Sequence, residues 1–262
     1  MKRIKVLLLL FFSLNAFSQQ EPNLARYKTR DEKLKVWLRY TNALLEKEDY
    51  PQLIIAANKG IEIAQNHNAY VSRFYIQKGL GYEFSNNQYK KALKNYEEAW
   101  KYARKSNHLK NLTTTLMRLN YVYYSVQDTA KGKFLAQHIK QILDTTKNNY
   151  TKAVLNGSLA EYYQNNAEYE TFIQYQLKAI SYKKLLKKTK VNEENIGISY
   201  LQIGSAYTKM KQYDKAIEYF NQAKPYVKNS PYVSAFICNY YLHSYVALKE
   251  KDSVEKYYNL VY

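Results

Sequence analysis

The sequence predicts an all-α chain of about six stacked helical hairpins, and three observations carry that expectation. Apolar residues recur three and four positions apart, the spacing of one helix face, and no segment alternates apolar with polar residues as a half-buried strand does. Polar, turn-forming clusters break these stretches at intervals: Asn66-His67-Asn68, Ser85-Asn86-Asn87, Thr145 to Asn149, Gln164-Asn165-Asn166 and Asn229-Ser230-Pro231. One position of the first helix of each hairpin then recurs at Thr41, Gly79, Asn120, Ala160, Gly204 and Leu242, 38 to 44 residues apart. A lone hairpin of this kind cannot bury its apolar stripe, so neighbours must stack.

Taken in chain order, residues 1–18 read as a secretory signal peptide. Lys2, Arg3 and Lys5 precede the apolar run Val6 to Phe12, and Ala16 and Ser18 stand three and one before a cut ahead of Gln19. The apolar run is shorter than the roughly 20 residues of a permanent span. No later segment is apolar enough to cross a membrane, so no stable span is expected once the signal is removed. The expected location is secreted or periplasmic. Residues 19–30 form an N-terminal segment, and residues 31–262 form the repeat region, as one extended domain or two compact ones.

Thr29 and Glu32 have the spacing of a capping box for the first helix. The first hairpin carries Trp37, Thr41 and Leu44, then Leu53, Ala57 and Gly60. The second carries Tyr75, Gly79 and Tyr82, then Ala92, Tyr96 and Ala99, with a turn from Phe84 to Gln88 one residue longer than its counterpart in the fifth. Leu116, Leu119, Asn120 and Tyr123 with Gly132 and Ala136 make the third. Leu159, Ala160 and Tyr163 with Phe172 and Ala179 make the fourth. The fifth is the clearest: Tyr200, Ile203, Gly204 and Tyr207, the turn Lys209 to Gln212, then Ala216, Phe220 and Ala223. The sixth has Tyr241, Leu242 and Tyr245, followed by a short helix from near Asp252 with an apolar stripe of Val254, Tyr258 and Val261.

The fifth unit closely resembles the tetratricopeptide repeat, whose first helix asks for an aromatic, a leucine-like residue, a small residue and a tyrosine. The second helix asks for alanine, an aromatic and alanine, and all seven are present. The closing proline is missing at Lys228, although Pro231 lies just beyond. The spacing exceeds the family period of about 34 residues and is similar to the extended-helix repeats of some bacterial regulators and peptide sensors; with the signal-like start, the resemblance is to a secreted, Bacteroidetes-like member of the family. The resemblance implies a right-handed α-solenoid of about six tetratricopeptide-like hairpins, with the first helix of each lining a concave face. It implies a non-catalytic scaffold that binds a protein or peptide in the bacterial envelope. The alternative is the extracytoplasmic sensor portion of a signalling protein whose histidine kinase or helix-turn-helix output is not in this chain.

Projecting the first-helix register onto that concave face selects Lys35, Asn42, Arg73, Glu83, Tyr121, Tyr124, Asn239 and His243 as ligand-binding residues, with Leu38 beside them. Tyrosines offer rigid contact area with a polar tip, and Asn and Arg hold peptide backbone or carboxylate. Leu38 and Ile76 occupy places where the family's clamp for C-terminal carboxylates wants polar residues, which argues against chaperone-tail recognition. No polar capping helix follows the sixth hairpin. It caps itself with tyrosines, or meets a second copy or partner, or leads into a longer protein.

Composition narrows the chemistry. The formal charge is +18, and only seven of the 40 basic residues are arginine, the residue that reads base edges bidentately, so no nucleic-acid partner is expected. The charge reflects either a lysine-rich composition alone or attraction to acidic surfaces. The single cysteine, Cys238, excludes an internal disulfide and reads as a buried small hydrophobe. His67, His108, His138 and His243 are scattered and form no zinc signature, no Gly-rich phosphate loop or nucleophile elbow is present, and no metal, cofactor or catalytic residue is expected. Lys183, Lys184, Lys187, Lys188 and Lys190 make a basic helix end that suits the helix dipole. Asp128-Thr129-Ala130, Asp144-Thr145-Thr146 and Asp252-Ser253-Val254 resemble O-glycosylation acceptors and equally suit helix starts.

Overall fold

The structure, a computed structural model, describes residues 21–227 and 231–261. The signal-like residues 1–18 lie outside the described residues. After a short 3-10 turn at Leu24–Arg26 come six helix pairs: α1 (Arg30–Glu46) and α2 (Tyr50–Ala64), α3 (Asn68–Phe84) and α4 (Tyr89–Ser106), α5 (Leu109–Ser125) and α6 (Thr129–Thr145), α7 (Asn149–Asn165) and α8 (Tyr169–Lys184), α9 (Lys190–Lys209) and α10 (Tyr213–Val227), α11 (Pro231–Leu248) and α12 (Lys251–Val261). No strand occurs among the described residues. The fold is an all-α array of tetratricopeptide-like hairpins, and the three weakest sequence copies form hairpins like the others.

The turn inside each hairpin is the same device repeated. Helix α1 ends with Glu48 at φ 60, the left-handed region, where its N–H reaches the Leu45 carbonyl at 3.1 Å and the Asp49 N–H reaches Leu44 at 3.0 Å. This pair of bonds closes a helix by the Schellman pattern. It recurs at Gln127, Ala167, Lys211 and Lys249, each at φ between 58 and 62, with the following N–H bonded to Tyr123, Tyr163, Tyr207 and Tyr245. The longer turn after α3 places two residues there, Asn86 and Asn87. None of the residues with positive φ is glycine, so each hairpin accepts the left-handed penalty of about 1–2 kcal/mol that a Cβ incurs. The residue after the left-handed one also starts the next helix. Asp49 and Asp128 accept the Gln52 and Lys131 backbone N–H groups at 3.2 and 3.1 Å.

The described residues form two compact units, one ending at Thr115 and the other beginning at Leu116, within α5. In the first, Leu34, Trp37, Tyr40 and Leu44 of α1 meet Leu53, Ala56 and Ala64 of α2 and Val71 and Phe74 of α3. Trp37 is fully buried, and its indole N–H donates to the Ala56 carbonyl at 2.7 Å. The capping box is present at Thr29 and Glu32, and the Arg30 guanidinium donates to the last α2 carbonyls, Ile63 at 2.9 Å and Ala64. The second unit centres on Phe172, Ile180, Tyr200, Ile203, Phe220, Val227 and Tyr241.

Two glycines explain the small-residue position. A Cβ on Gly79 would lie 2.4 Å from the Tyr96 ring, and one on Gly204 would lie 2.2 Å from the Phe220 ring. The aromatic of the second helix lies flat across the glycine of the first. Phe220 then reaches on to the next hairpin, with ring centroids 5.2 Å from Tyr240 and 5.7 Å from Tyr241.

Two sequence expectations change. In α12 the inward ring is Tyr257, stacked 4.6 Å from Tyr241 and 5.5 Å from Tyr245, while Tyr258 is 53% exposed. Helical spacing admits a partner three or four residues after Val254, and only the three-residue step brings a ring onto the α11 tyrosines. Cys238 is a free thiol, only partly buried.

Candidate ligand-binding site

The register-predicted residues separate into three groups. In the first unit, Asn42 of α1 and Arg73 of α3 wall one cavity of about 490 Å³ together with Leu38, His67, Tyr70, Lys110 and Asn111. Helical spacing explains why they meet. Leu38 and Asn42 are four apart on α1, and Tyr70 and Arg73 are three apart on α3. A buried relay fixes Asn42 from behind: Thr41 donates to Gln77 at 2.8 Å, and Gln77 donates to the Asn42 side-chain oxygen at 2.8 Å. Arg73 approaches the same oxygen at 3.5 Å. Asn111 donates to the Ala69 carbonyl at 2.7 Å, tying α5 to the start of α3.

The lining residues that the register does not select are His67, Ala69, Tyr70, His108, Lys110 and Asn111. They sit at the starts of α3 and α5, before the register positions at Arg73 and Tyr121. A signal existed in the chain: a histidine immediately before two successive first helices, His67 and His108. His108 caps α5, its ring nitrogen accepting the Asn111 backbone N–H at 3.3 Å.

Lys35 is exposed and ion-paired with Asp31 at 2.6 Å. That hydrogen bond holds the Asp31 carboxyl below, and the Lys35 ammonium above, its ordinary value. Glu83 does not face a ligand: it is 3% exposed and accepts the Tyr96 hydroxyl at 2.6 Å. Its place at the end of α3, beside the second helix of its own hairpin, draws it inward. In the second unit, Asn239 and His243 wall a cavity of about 500 Å³ with Ser205, Thr208, Lys209 and Tyr240. Tyr124 lines another of about 420 Å³. Tyr121 is half-buried and lines none of the three. Among the described residues no group of three His, Cys, Asp or Glu is placed to hold a metal ion, and no helix is long and apolar enough to cross a membrane.

The family profile of the tetratricopeptide repeat matches residues 198–224, spanning most of α9 and α10. Among solved structures, the chain is similar to a signal transduction ATPase with numerous domains, carrying a tetratricopeptide repeat sensor, from Pyrococcus horikoshii. The TM-score is 0.70 at 17% identity, over 90% of this chain and 37% of that one. It is similar to PilF of Pseudomonas aeruginosa, with a TM-score of 0.63 at 13% identity over 88% and 90% of the two chains. It is also similar to the C-terminal part of a TPR repeat-containing protein from Cytophaga hutchinsonii, with a TM-score of 0.54 at 17% identity over 86% and 77%. One tetratricopeptide repeat is matched in the sequence, and the fold is shared with tetratricopeptide-repeat proteins. Comparison with curated proteins finds no match.

In tetratricopeptide terms, the Arg73 cavity is walled by the first helices of three consecutive repeats, α1, α3 and α5. The same repeat logic places many of the lysines. Lys91, Lys131 and Lys215, each early in a second helix, lie 5.4, 5.6 and 5.5 Å over Tyr82, Tyr123 and Tyr207 of the preceding first helix. Lysine and tyrosine abundance is therefore partly structural, with each such pair contributing about 0.5–1 kcal/mol at an exposed site.

Proposed function

We propose that this tetratricopeptide protein is a non-catalytic scaffold of the bacterial envelope that holds an extended peptide or a segment of a partner protein. The observation that supports this most directly is the cavity on the first helices of the first unit. There the cations Arg73 and Lys110 stand with the amides Asn42 and Asn111 around an apolar wall at Leu38. Amides match the donors and acceptors of a peptide backbone, and the cations favour acidic side chains. A charge-assisted hydrogen bond is worth about 1.5–3 kcal/mol. Envelope location rests on the signal-like pattern of residues 1–18.

The test is recovery of partners from an envelope extract by the wild type against Arg73→Ala/Lys110→Ala. At about 1.4 kcal/mol per decade, loss of even one charged contact weakens capture about tenfold or more. Equal recovery by the double variant sinks the reading. A second reading, a sensor module feeding an output domain, is favoured by the similarity to the sensor-bearing Pyrococcus protein. Sequencing past codon 262 separates the two: a stop codon with no adjacent regulator gene ends the sensor reading.

A further inference from the structure

The cavity of about 420 Å³ at the α5–α6 turn in the second unit has a different character. Asn120, Tyr123 and Tyr124 follow one another at helical spacing along one face of α5, and Gln127 of the turn that follows adds a fourth lining residue. Tyr162, Asn165 and Asn166, at the end of α7, close it from the next repeat. It therefore lies between the ends of two successive first helices.

Its chemistry is aromatic and amide. Tyr124 is 56% exposed, whereas Tyr123 beside it is 4% exposed. Tyr162 is half-buried and held edge-on by Tyr163, with centroids 5.3 Å apart at 80°. Four side-chain amides surround these rings, each with donors and an acceptor in one plane. Asn120 is anchored to the Ser158 carbonyl at 3.1 Å, and Asn166 to the Tyr162 carbonyl at 2.8 Å. Charge is nearly absent despite the +18 of the chain. The lining holds one lysine, Lys133, and one carboxylate, Asp128, which caps α6 and pairs with Lys131 at 3.8 Å.

We infer that this cavity is a binding site for a neutral carbohydrate. A sugar ring has an apolar face of C–H groups that packs on a tyrosine and a rim of vicinal hydroxyls that donate and accept at once. The Tyr124 ring and the amides of Gln127, Asn165 and Asn166 supply both halves, and the volume is in the range of small-ligand sites and fits one or two sugar rings. An acidic peptide finds no unpaired cluster of cations here, and a lipid chain finds too many amides that its binding would leave unsatisfied. The site is separate from the Arg73 cavity and does not depend on the peptide reading.

The experiment is saturation-transfer NMR and calorimetry on the full chain with a panel of neutral oligosaccharides: gluco-, manno-, xylo- and galacto-oligosaccharides. The expected result is millimolar or tighter binding of at least one, unchanged in half-molar salt. It should weaken at least tenfold in Tyr124→Ala and Asn165→Ala, and persist in Tyr124→Phe and Arg73→Ala. Tyr124 is exposed, so its variants keep the fold, and an unchanged circular dichroism spectrum verifies that. The inference is overturned if no oligosaccharide of the panel binds, if binding survives Tyr124→Ala, if it falls with salt, or if Tyr124→Ala abolishes peptide capture and not saccharide binding.

Discussion

Single residues decide where this protein has no slack. Gly204 carries the Phe220 ring against its α-carbon, and an added methyl would stand 2.2 Å from that ring. Gly204→Ala should destabilise the second unit by about 1–3 kcal/mol, the usual cost of overpacking a filled core; urea denaturation of the variant measures it, and a neutral result would mean that the hairpin shifts freely. Lys183 shows a different constraint. Its ammonium donates to the Ser199 hydroxyl at 2.7 Å and the Asn195 carbonyl at 3.3 Å, and burial pulls its pKa down to about 8. A lysine with a depressed folded pKa binds fewer protons when folded than when unfolded. It therefore costs stability below about pH 8, and the cost fades as pH rises through that value towards 10.5. Lys183→Met should accordingly be more stable than wild type at pH 7, by about 1–3 kcal/mol, and the gap should close by pH 10. Thermal melts of the two proteins at both pH values check this, and a gap that widens with pH refutes it.

At the scale of elements, the hairpin turn identifies the repeat more fully than side-chain identity does. The family profile matches one repeat, residues 198–224, yet the left-handed closure recurs in all six hairpins. Backbone hydrogen bonds are indifferent to side chain, so the turn persists where the apolar signature has drifted, as between α7 and α8. Its occupants are Glu48, Asn87, Gln127, Ala167, Lys211 and Lys249, and only asparagine among them tolerates that conformation well. Ala167→Gly should therefore stabilise the protein by about 0.5–1 kcal/mol, the left-handed strain relieved less the chain entropy that glycine adds to the unfolded state. A fall in the denaturation midpoint would show that Ala167 is not strained. The same turns show how a sequence this poor in glycine, with 7 in 262 residues, can reverse direction six times.

For the molecule as a whole, charge is the governing quantity. A formal +18 is opposed by a few exposed ion pairs such as Lys35–Asp31 and Lys101–Glu98, and such pairs contribute about 0–1 kcal/mol each. Self-repulsion should outweigh them, so raising sodium chloride from 10 mM to about 0.5 M should raise the melting temperature by a few degrees. A lower melting temperature in salt would show that cation–π and ion-pair attraction dominate instead. The same background sharpens the contrast between the two candidate sites. The Arg73 cavity gathers cations, whereas the Tyr124 cavity is almost neutral within a basic chain, so salt separates their ligands in one titration.

The all-helical class, the six hairpins and their order are legible along the chain, because a 3.6-residue apolar period and its interruptions are local properties written along one dimension. So is the placement of Asn42 and Arg73 on one surface, since helical register carries over from one repeat to the next. Packing between helices is what turns Glu83 inward to Tyr96, brings Tyr257 and not Tyr258 onto the α11 tyrosines, and adds His108 and Lys110 to the Arg73 cavity. Each of these depends on which neighbour a side chain meets across a helix interface. Register limits that choice to two or three adjacent positions on a face, and packing density, hydrogen-bond reach and ring stacking between separate helices make the final selection.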